Sequence, residues 1–327
     1  MNQISPRQTT IKLAFFPTTR LNWPVVIPKP ILAVGSIALD TIETPAGRRE
    51  NLLGGSATFF AVATSLFAPV RLVGLVGDDF PQAGWDLFRE RSIDTRDVQT
   101  LAGSTFRWGG RYPAGFNGRE TLFTELGVFE GFQPLLSATN RRTEIIYLGN
   151  IQPSLQLELA KQVDDASLIV SDTMNLWIDT ARQDLDKVLA ASDIFLINDE
   201  EAEQLTGNPD LDAAAAILLA AGPRAVIIKM GSRGSMLAQG RERTRVPIFP
   251  GVEVIDPTGA GDTFAGGFLG HIAVHGRDDL AAAVVQGTAV ASFAVEGFGL
   301  DGIRKATLEK VVVRAAAIAK AMAASLN

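Results

Sequence analysis

From residue 31 onward the chain alternates short apolar runs with longer stretches of helical periodicity. Residues 31–35 (Ile-Leu-Ala-Val-Gly) are continuously apolar and closed by glycine, as expected of a strand covered on both faces. The Gly54-Gly55 pair then precedes a helical pattern over 56–67, followed by a strand over 70–77 and a helix over 84–91. Further strands are predicted at 144–148, 168–171, 194–198 and 225–230, with helices at 154–162, 178–190 and 211–221 and an Ala-rich helical end from Gly261. Strand–helix–strand alternation at this spacing predicts an α/β fold, a three-layer α/β/α sandwich around a mainly parallel central sheet. Two segments break the pattern. Residues 40–53 are polar, and 104–129 hold strand-like stretches at 105–108 and 121–126 around Tyr112-Pro113-Ala114-Gly115. Neither has a core pattern of its own, so both are expected to project from the sheet edge as a small β lid. Residues 1–29 carry Pro6, Pro17, Pro24 and Pro28 without periodicity and are expected to form a flexible extension to one domain over 30–327.

Composition narrows the chemistry. With 46% hydrophobic and 20% charged residues among 327, the chain can bury a large core. A net charge of −6 argues against nucleic acid or an anionic membrane as partner, since both reward Lys/Arg patches. The absence of cysteine excludes disulfides, thiolate metal sites and cysteine nucleophiles, and two histidines leave little material for His-based sites. Near the N-terminus, Arg7 and Lys12 precede only the short apolar run Leu13-Ala14-Phe15-Phe16, and no stretch approaches the ~20 apolar residues of a membrane helix. A cytoplasmic location is the expectation.

The string at 256–268, Asp-Pro-Thr-Gly-Ala-Gly-Asp-Thr-Phe-Ala-Gly-Gly-Phe, concentrates the candidate chemistry. Residues 252–255 read as a strand leading into it, and Phe264, Phe268 and Ile272 recur on one face of a helix leading out. Gly259 and Gly261 let backbone approach a ligand, and a helix N-terminus offers N–H groups suited to phosphate. Taken alone, the glycines also fit a tight turn, and Asp262 fits a cap or a partner of the helix dipole.

This string closely resembles the C-terminal signature of the ribokinase-like (PfkB) carbohydrate kinases. The resemblance implies a ribokinase-like fold, ATP with Mg2+, and an anion hole lined by Gly259, Ala260 and Gly261. It makes Asp262 the base that accepts the proton of the substrate hydroxyl, a division of labour that suits phosphoryl transfer. Asn198-Asp199-Glu200-Glu201 follows a strand and resembles the family's Asn-x-x-Glu element, which implies that Asn198 and Glu201 organise the nucleotide phosphates and, through water, magnesium. On its own it is an acid-rich helix start. Lys229 and the turn containing Gly231 and Gly234 resemble the family's glycine turn beside the nucleotide, and also fit a hairpin. Asp256 and Thr258 fall where ligands of a monovalent cation, K+, would lie in the family. Asp40, after the first strand, would hold sugar hydroxyls, and Gly54, Gly55 and Ser56 would line the substrate. Residues 73–79 resemble the strand and turn that follow.

Two departures stand out. Phe59 occupies a position where many family members have a sugar-contacting asparagine, and the short Asp40-to-Gly54 interval leaves room only for a reduced lid. Phe59, Phe106 and Trp108 would either stack on a ring, as in a nucleoside, or serve as core. Other patterns carry less. Gly297-Phe298-Gly299-Leu300-Asp301-Gly302 matches G-x-G-x-x-G without a preceding strand, and no P-loop is present. His271 and His275 lack the glutamate of a zinc protease helix. The pairs at 78–79, 164–165 and 278–279 read as solvated turns. The resulting expectation is an ATP-dependent kinase that transfers the γ-phosphoryl group to a hydroxyl of a small sugar or nucleoside, with a homodimer through the lid edges. The alternative is a catalytically silent, kinase-like sugar- or nucleotide-binding regulator, disfavoured by the retained Asp262.

Overall fold

The computed structural model describes residues 27–116 and 118–324. Most of the proposed N-terminal extension, residues 1–26, lies outside them, whereas Lys29 is anchored by its N–H to Ala273 O and by its ammonium to Glu144.

Thirteen strands and ten α-helices are present among the described residues. The strands are β1 (Ile31–Val34), β2 (Ala38–Thr44), β3 (Gly47–Gly54), β4 (Val70–Gly77), β5 (Asp94–Leu101), β6 (Arg107–Arg111), β7 (Glu120–Glu125), β8 (Ile145–Leu148), β9 (Leu168–Asp172), β10 (Ile194–Asn198), β11 (Ala225–Lys229), β12 (Ser235–Gln239) and β13 (Glu242–Val246). The helices are α1 (Ser56–Thr64), α2 (Gln82–Glu90), α3 (Pro153–Ala160), α4 (Asn175–Thr180), α5 (Arg182–Ala191), α6 (Asp199–Thr206), α7 (Leu211–Ala220), α8 (Ala260–His275), α9 (Leu280–Ala294) and α10 (Leu308–Ala324). None of the described helices is long and apolar enough to cross a membrane.

Nine strands form one sheet in the order β13-β12-β11-β10-β9-β8-β1-β4-β5, parallel except for the β11-β12-β13 meander. Its two faces are sorted by residue parity. Ile31 and Ala33 face a core with α1, α2, α8, α9 and α10, while Leu32 and Val34 face the residues around α3. A separate cluster seats α5, α6 and α7 on β10 and β11. The polar segments expected to form a lid do so as a second sheet, β3-β2-β6-β7. Its strands lack core patterning because only β2, at its centre, is buried along most of its length.

Three local expectations change. Residues 252–255 are not a strand, because the Ile255 and Asp256 amides donate to Val295 O at the end of α9 instead of to a neighbouring strand. The helix expected over 178–190 is two, α4 and α5, broken at Ala181. The edge strands β5 and β13 carry too many polar residues to resemble the buried runs at the sheet centre, and β12, which lies between β13 and β11, has only Met236-Leu237-Ala238 as an apolar run.

Helix α8, which carries Asp262, is fixed by an unusually close approach to α1. A Cβ on Gly266 would fall 2.7 Å from both Ala63 Cβ and Phe60 O, and Thr64 Oγ1 donates to Gly266 O at 3.2 Å. In a free helix Gly→Ala gains about 1 kcal/mol. Here overpacking reverses the sign. Gly266→Ala is expected to lower stability by about 1–3 kcal/mol, read as a reduced urea midpoint.

Candidate active site

The parallel strands end on one side of the sheet, where an open α/β fold gathers its ligands. Asp172 ends β9, Asn198 ends β10 and Lys229 ends β11. The N-terminus of α8 arrives at the same place, and β2 and β6 of the lid cover it.

Gly259 caps α8 in the left-handed region, with φ of 70°. A side chain there is doubly excluded, since its Cβ would overlap the Phe59 ring. Phe59 is therefore floor beneath the turn, 1% exposed, and not a stacking platform. The first amides of α8 have no acceptor within the helix. Among them, Ala260 N–H turns back to Pro257 O at 3.2 Å. Asp262 lies in the first turn with its side chain partly accessible. It faces neither open solvent nor a plug of hydrocarbon: Tyr147 Oη donates to its Oδ1 at 3.4 Å, and the Tyr147 ring is held by stacking on Phe60 at 4.0 Å.

Lys229 supplies the cation. Its Nζ lies 2.6 Å from Asp172 Oδ2, and a Cβ on Gly261 would stand only 3.1 Å from it. The ammonium thus sits against the backbone of the glycine turn. Burial works against its charge, but Asp172 and Glu201 outweigh that and hold the pKa above its ordinary value. Burial lifts Asp262 to about 7, with the Asp172 charge adding to the rise and Lys229 opposing it. Burial likewise raises Glu201 to about 7 and Asp40 to about 8. Asp40, 3% exposed, accepts from the Gly55 N–H and feels the charges of Asp256 and Asp262, so the three carboxylates share one region.

The other residues singled out in the sequence divide into two groups. Gly54 packs so tightly on the Asp40 carboxylate that a side chain would overlap it, and Gly55 caps α1. Thr258 joins the glycine turn, with its N–H on Asp256 Oδ1 at 2.8 Å. Asp256, 1% exposed, accepts from Gly299 N–H through its other oxygen at 2.8 Å, so one glycine of the 297–302 pattern serves this loop. Structural bonds claim much of the rest. Ser56 exchanges hydrogen bonds with Ser36 and donates to Asn150 O. Asn198 and Glu201 form a reciprocal capping box on α6 through Asn198 Oδ1 and Glu201 Oε2. Gly231 and Gly234 bound the turn between the antiparallel β11 and β12, where Arg233 pairs with Asp199. Phe106 packs on Phe129, and Trp108 carries the Arg119 guanidinium over its ring at 5.2 Å.

Four side chains of the site escape sequence reasoning: Asp172, Arg119, Tyr112 and Tyr147. Asp172 had a signal, a carboxylate closing an apolar strand. Arg119 acts on Glu201 and Tyr112 from the lid, and no local pattern marks it. The chain has two tyrosines, and both hydroxyls reach this site.

Residues 30–306 match the family model described as pfkB family carbohydrate kinase. The chain belongs to that family. The kinase is 31% identical over 245 residues to the cytidine kinase of Thermococcus kodakarensis, covering 73% of this chain and 87% of that relative. It is 26% identical over 305 residues to the nucleoside kinase of Methanocaldococcus jannaschii, covering 87% and 96%. The crystal structure of the M. jannaschii enzyme superposes with a TM-score of 0.72 over 88% of this chain and 98% of that one, at 24% identity. A protein described as an Escherichia coli ribokinase II, solved with ATP and Mg2+, superposes at 0.70 over 88% and 98%, at 21% identity. The kinase is a phosphotransferase of the class acting on sugar or nucleoside hydroxyls, and enzymes of this family use ATP with Mg2+.

The raised carboxylates set a stability cost that depends on pH. Asp40 is near 3.9 unfolded and about 8 folded. The folded state therefore keeps a proton that the unfolded chain releases, and stability falls as pH rises through that window. Asp40→Asn, which needs no proton, is expected to melt higher than wild type by a margin that widens from pH 5 to pH 8, by up to about 1.4 kcal/mol for each pH unit between the unfolded and folded pKa values. Calorimetry of the ligand-free protein at both pH values checks this.

Proposed function

We propose that the chain is one catalytic domain over 30–327, with lid segments near 40–53 and 104–129, that phosphorylates a nucleoside hydroxyl. The observation that carries the reading is the position of Asp262, partly accessible at the positive end of α8 with Lys229 held against the adjacent glycine turn. The names of the cytidine and nucleoside kinase relatives support a nucleoside over a free sugar.

The residues present suit the nucleotide. The glycine turn has no side chains in the way of phosphate oxygens. Glu201 spends Oε2 on the Asn198 N–H, and no hydrogen bond from the described residues reaches Oε1, which leaves an oxygen donor of the kind Mg2+ takes, directly or through water. ATP supplies the γ-phosphoryl group, and Mg2+ screens its charge. Asn198 and Glu201 would organise the phosphates, with Lys229 as the cation beside them and Gly231 and Gly234 shaping the nucleotide edge. Asp256 accepts the Thr258 and Gly299 amides and lies beside the Thr258 hydroxyl, and this oxygen-rich pair remains the candidate seat for K+.

On the acceptor side, Asp40 would accept hydrogen bonds from substrate hydroxyls across the side-chain-free surface of Gly54 and Gly55, with Ser56 holding that surface in place. Asp262 would take the proton of the reacting hydroxyl, whose oxygen then bonds to phosphorus as the bond to the leaving phosphate oxygen breaks. The Gly259 and Gly261 amides would face the charge that accumulates, beside Ala260, whose own N–H turns back to Pro257 O. A carboxylate with a pKa of about 7 is a stronger base than an ordinary aspartate, yet is largely ionised just above neutrality.

A screen of nucleosides, sugars and sugar phosphates for acceptor-dependent ADP release tests the substrate class. Asp262→Asn is expected to lose about 10²–10⁴-fold in turnover while binding nucleotide within a few-fold of wild type. Near-normal turnover in that variant would remove Asp262 from the mechanism.

A further inference from the structure

The lid meets the anion-hole turn through one side chain. Tyr112 follows β6, and its N–H donates to Glu43 O at 2.8 Å, so its backbone extends the β2–β6 pairing. Its hydroxyl receives a hydrogen bond from Thr258 Oγ1 at 3.1 Å, across 146 residues of sequence. Thr258 immediately precedes Gly259, whose left-handed conformation starts α8. Tyr112 is half-buried, and its phenol feels the charges of Arg119, Asp256 and Asp40. Tyr112 therefore stands between the residue proposed to hold the acceptor and the turn proposed to hold the phosphoryl group.

Its hydrogen-bonding capacity is half used. A phenol both donates and accepts. Here the oxygen accepts from Thr258, and none of the described residues receives the phenolic proton in a hydrogen bond. Burial pushes the Tyr112 pKa up to about 12, so that proton is retained at neutral pH. An unspent donor on a half-buried residue beside the site is available to a ligand. The second tyrosine differs, since Tyr147 spends its proton on Asp262.

We propose that Tyr112 is a positioning residue for the acceptor: its free O–H donates to an oxygen of the bound nucleoside while its oxygen holds Thr258, so that acceptor, lid and anion-hole turn are fixed together. This rests on the reading of the site as a nucleoside kinase. Without an acceptor the phenol lacks half of its bonds, and the closed arrangement is weaker. Seating the acceptor completes it, which ties exclusion of water from the transferring phosphoryl group to the presence of the correct substrate.

Tyr112→Phe keeps the ring and removes only the hydroxyl. With the nucleoside identified by the ADP-release screen, the variant is expected to raise the acceptor KM by about 3- to 10-fold, the worth of a neutral hydrogen bond. The ATP KM should stay within about two-fold of wild type, as should the melting temperature profile's shape across pH. The ratio of ADP released to nucleotide product formed should rise above that of wild type. Thr258→Val should raise the same ratio, and adding it to Tyr112→Phe should have less than the combined separate effects. If the wild type is active and Tyr112→Phe leaves both the acceptor KM and the ADP-to-product ratio unchanged, the inference is overturned while the kinase reading stands. If the wild type phosphorylates no nucleoside, the underlying reading fails first.

Discussion

A single ammonium, that of Lys229, governs the electrostatics of the site. It lies among Asp172, Glu201 and Asp262, and it stands against the glycine turn that opens α8. Without it, three poorly hydrated carboxylates would face each other across a space that must admit a polyphosphate. With it, Asp172 is paired, Glu201 caps its helix, and Asp262 is left raised but ionisable. The arrangement is destabilising to the empty protein and suited to a ligand that is itself highly charged, a common balance at sites selected for function.

The scaffold delivers these groups with little freedom. Parallel strands β9, β10 and β11 end on the same side of the sheet: Asn198 and Lys229 are paired across β10 and β11, and Asp172 pairs with Leu196 at the end of β9. Helix α8 is locked to α1 at Gly266, and its first residue is set by Gly259 above the Phe59 ring. The lid contributes Tyr112, Trp108 and Arg119 from a sheet that has no hydrophobic core apart from the surface it covers.

Much of this was legible in the amino-acid pattern. Continuous apolar runs marked β1, β4 and β8 to β11, because strands buried on both faces have no polar positions to hide them. The 256–268 string marked the glycine turn and the acid that open α8 through its resemblance to the family signature, whereas its glycines and Asp262 taken singly also fit a tight turn and a helix cap. Edge strands β5 and β13 were not legible, because their polar residues resemble loop, and β12, though buried, offers only the short apolar run Met236-Leu237-Ala238. The extended residues 252–255 looked like a strand, yet their amides bond to Val295 O, a partner no local pattern reveals. Phe59 could be read as core or as a stacking surface, and only the position of Gly259 decides for core. Asn198 and Glu201, which resemble the family's nucleotide element, form the capping box of α6 with the same side chains. Tyr112 and Tyr147 act across long sequence separations, so neither had a local signature.

The central claim is that Asp262 sits where its proton affinity has been brought close to neutrality. Carbon-13 NMR titration of aspartate side-chain carboxyls, with the Asp262 resonance assigned by its loss in Asp262→Asn, measures this in the ligand-free protein. The account predicts a midpoint near pH 7. A midpoint near 4, the value of an aspartate in water, would contradict it.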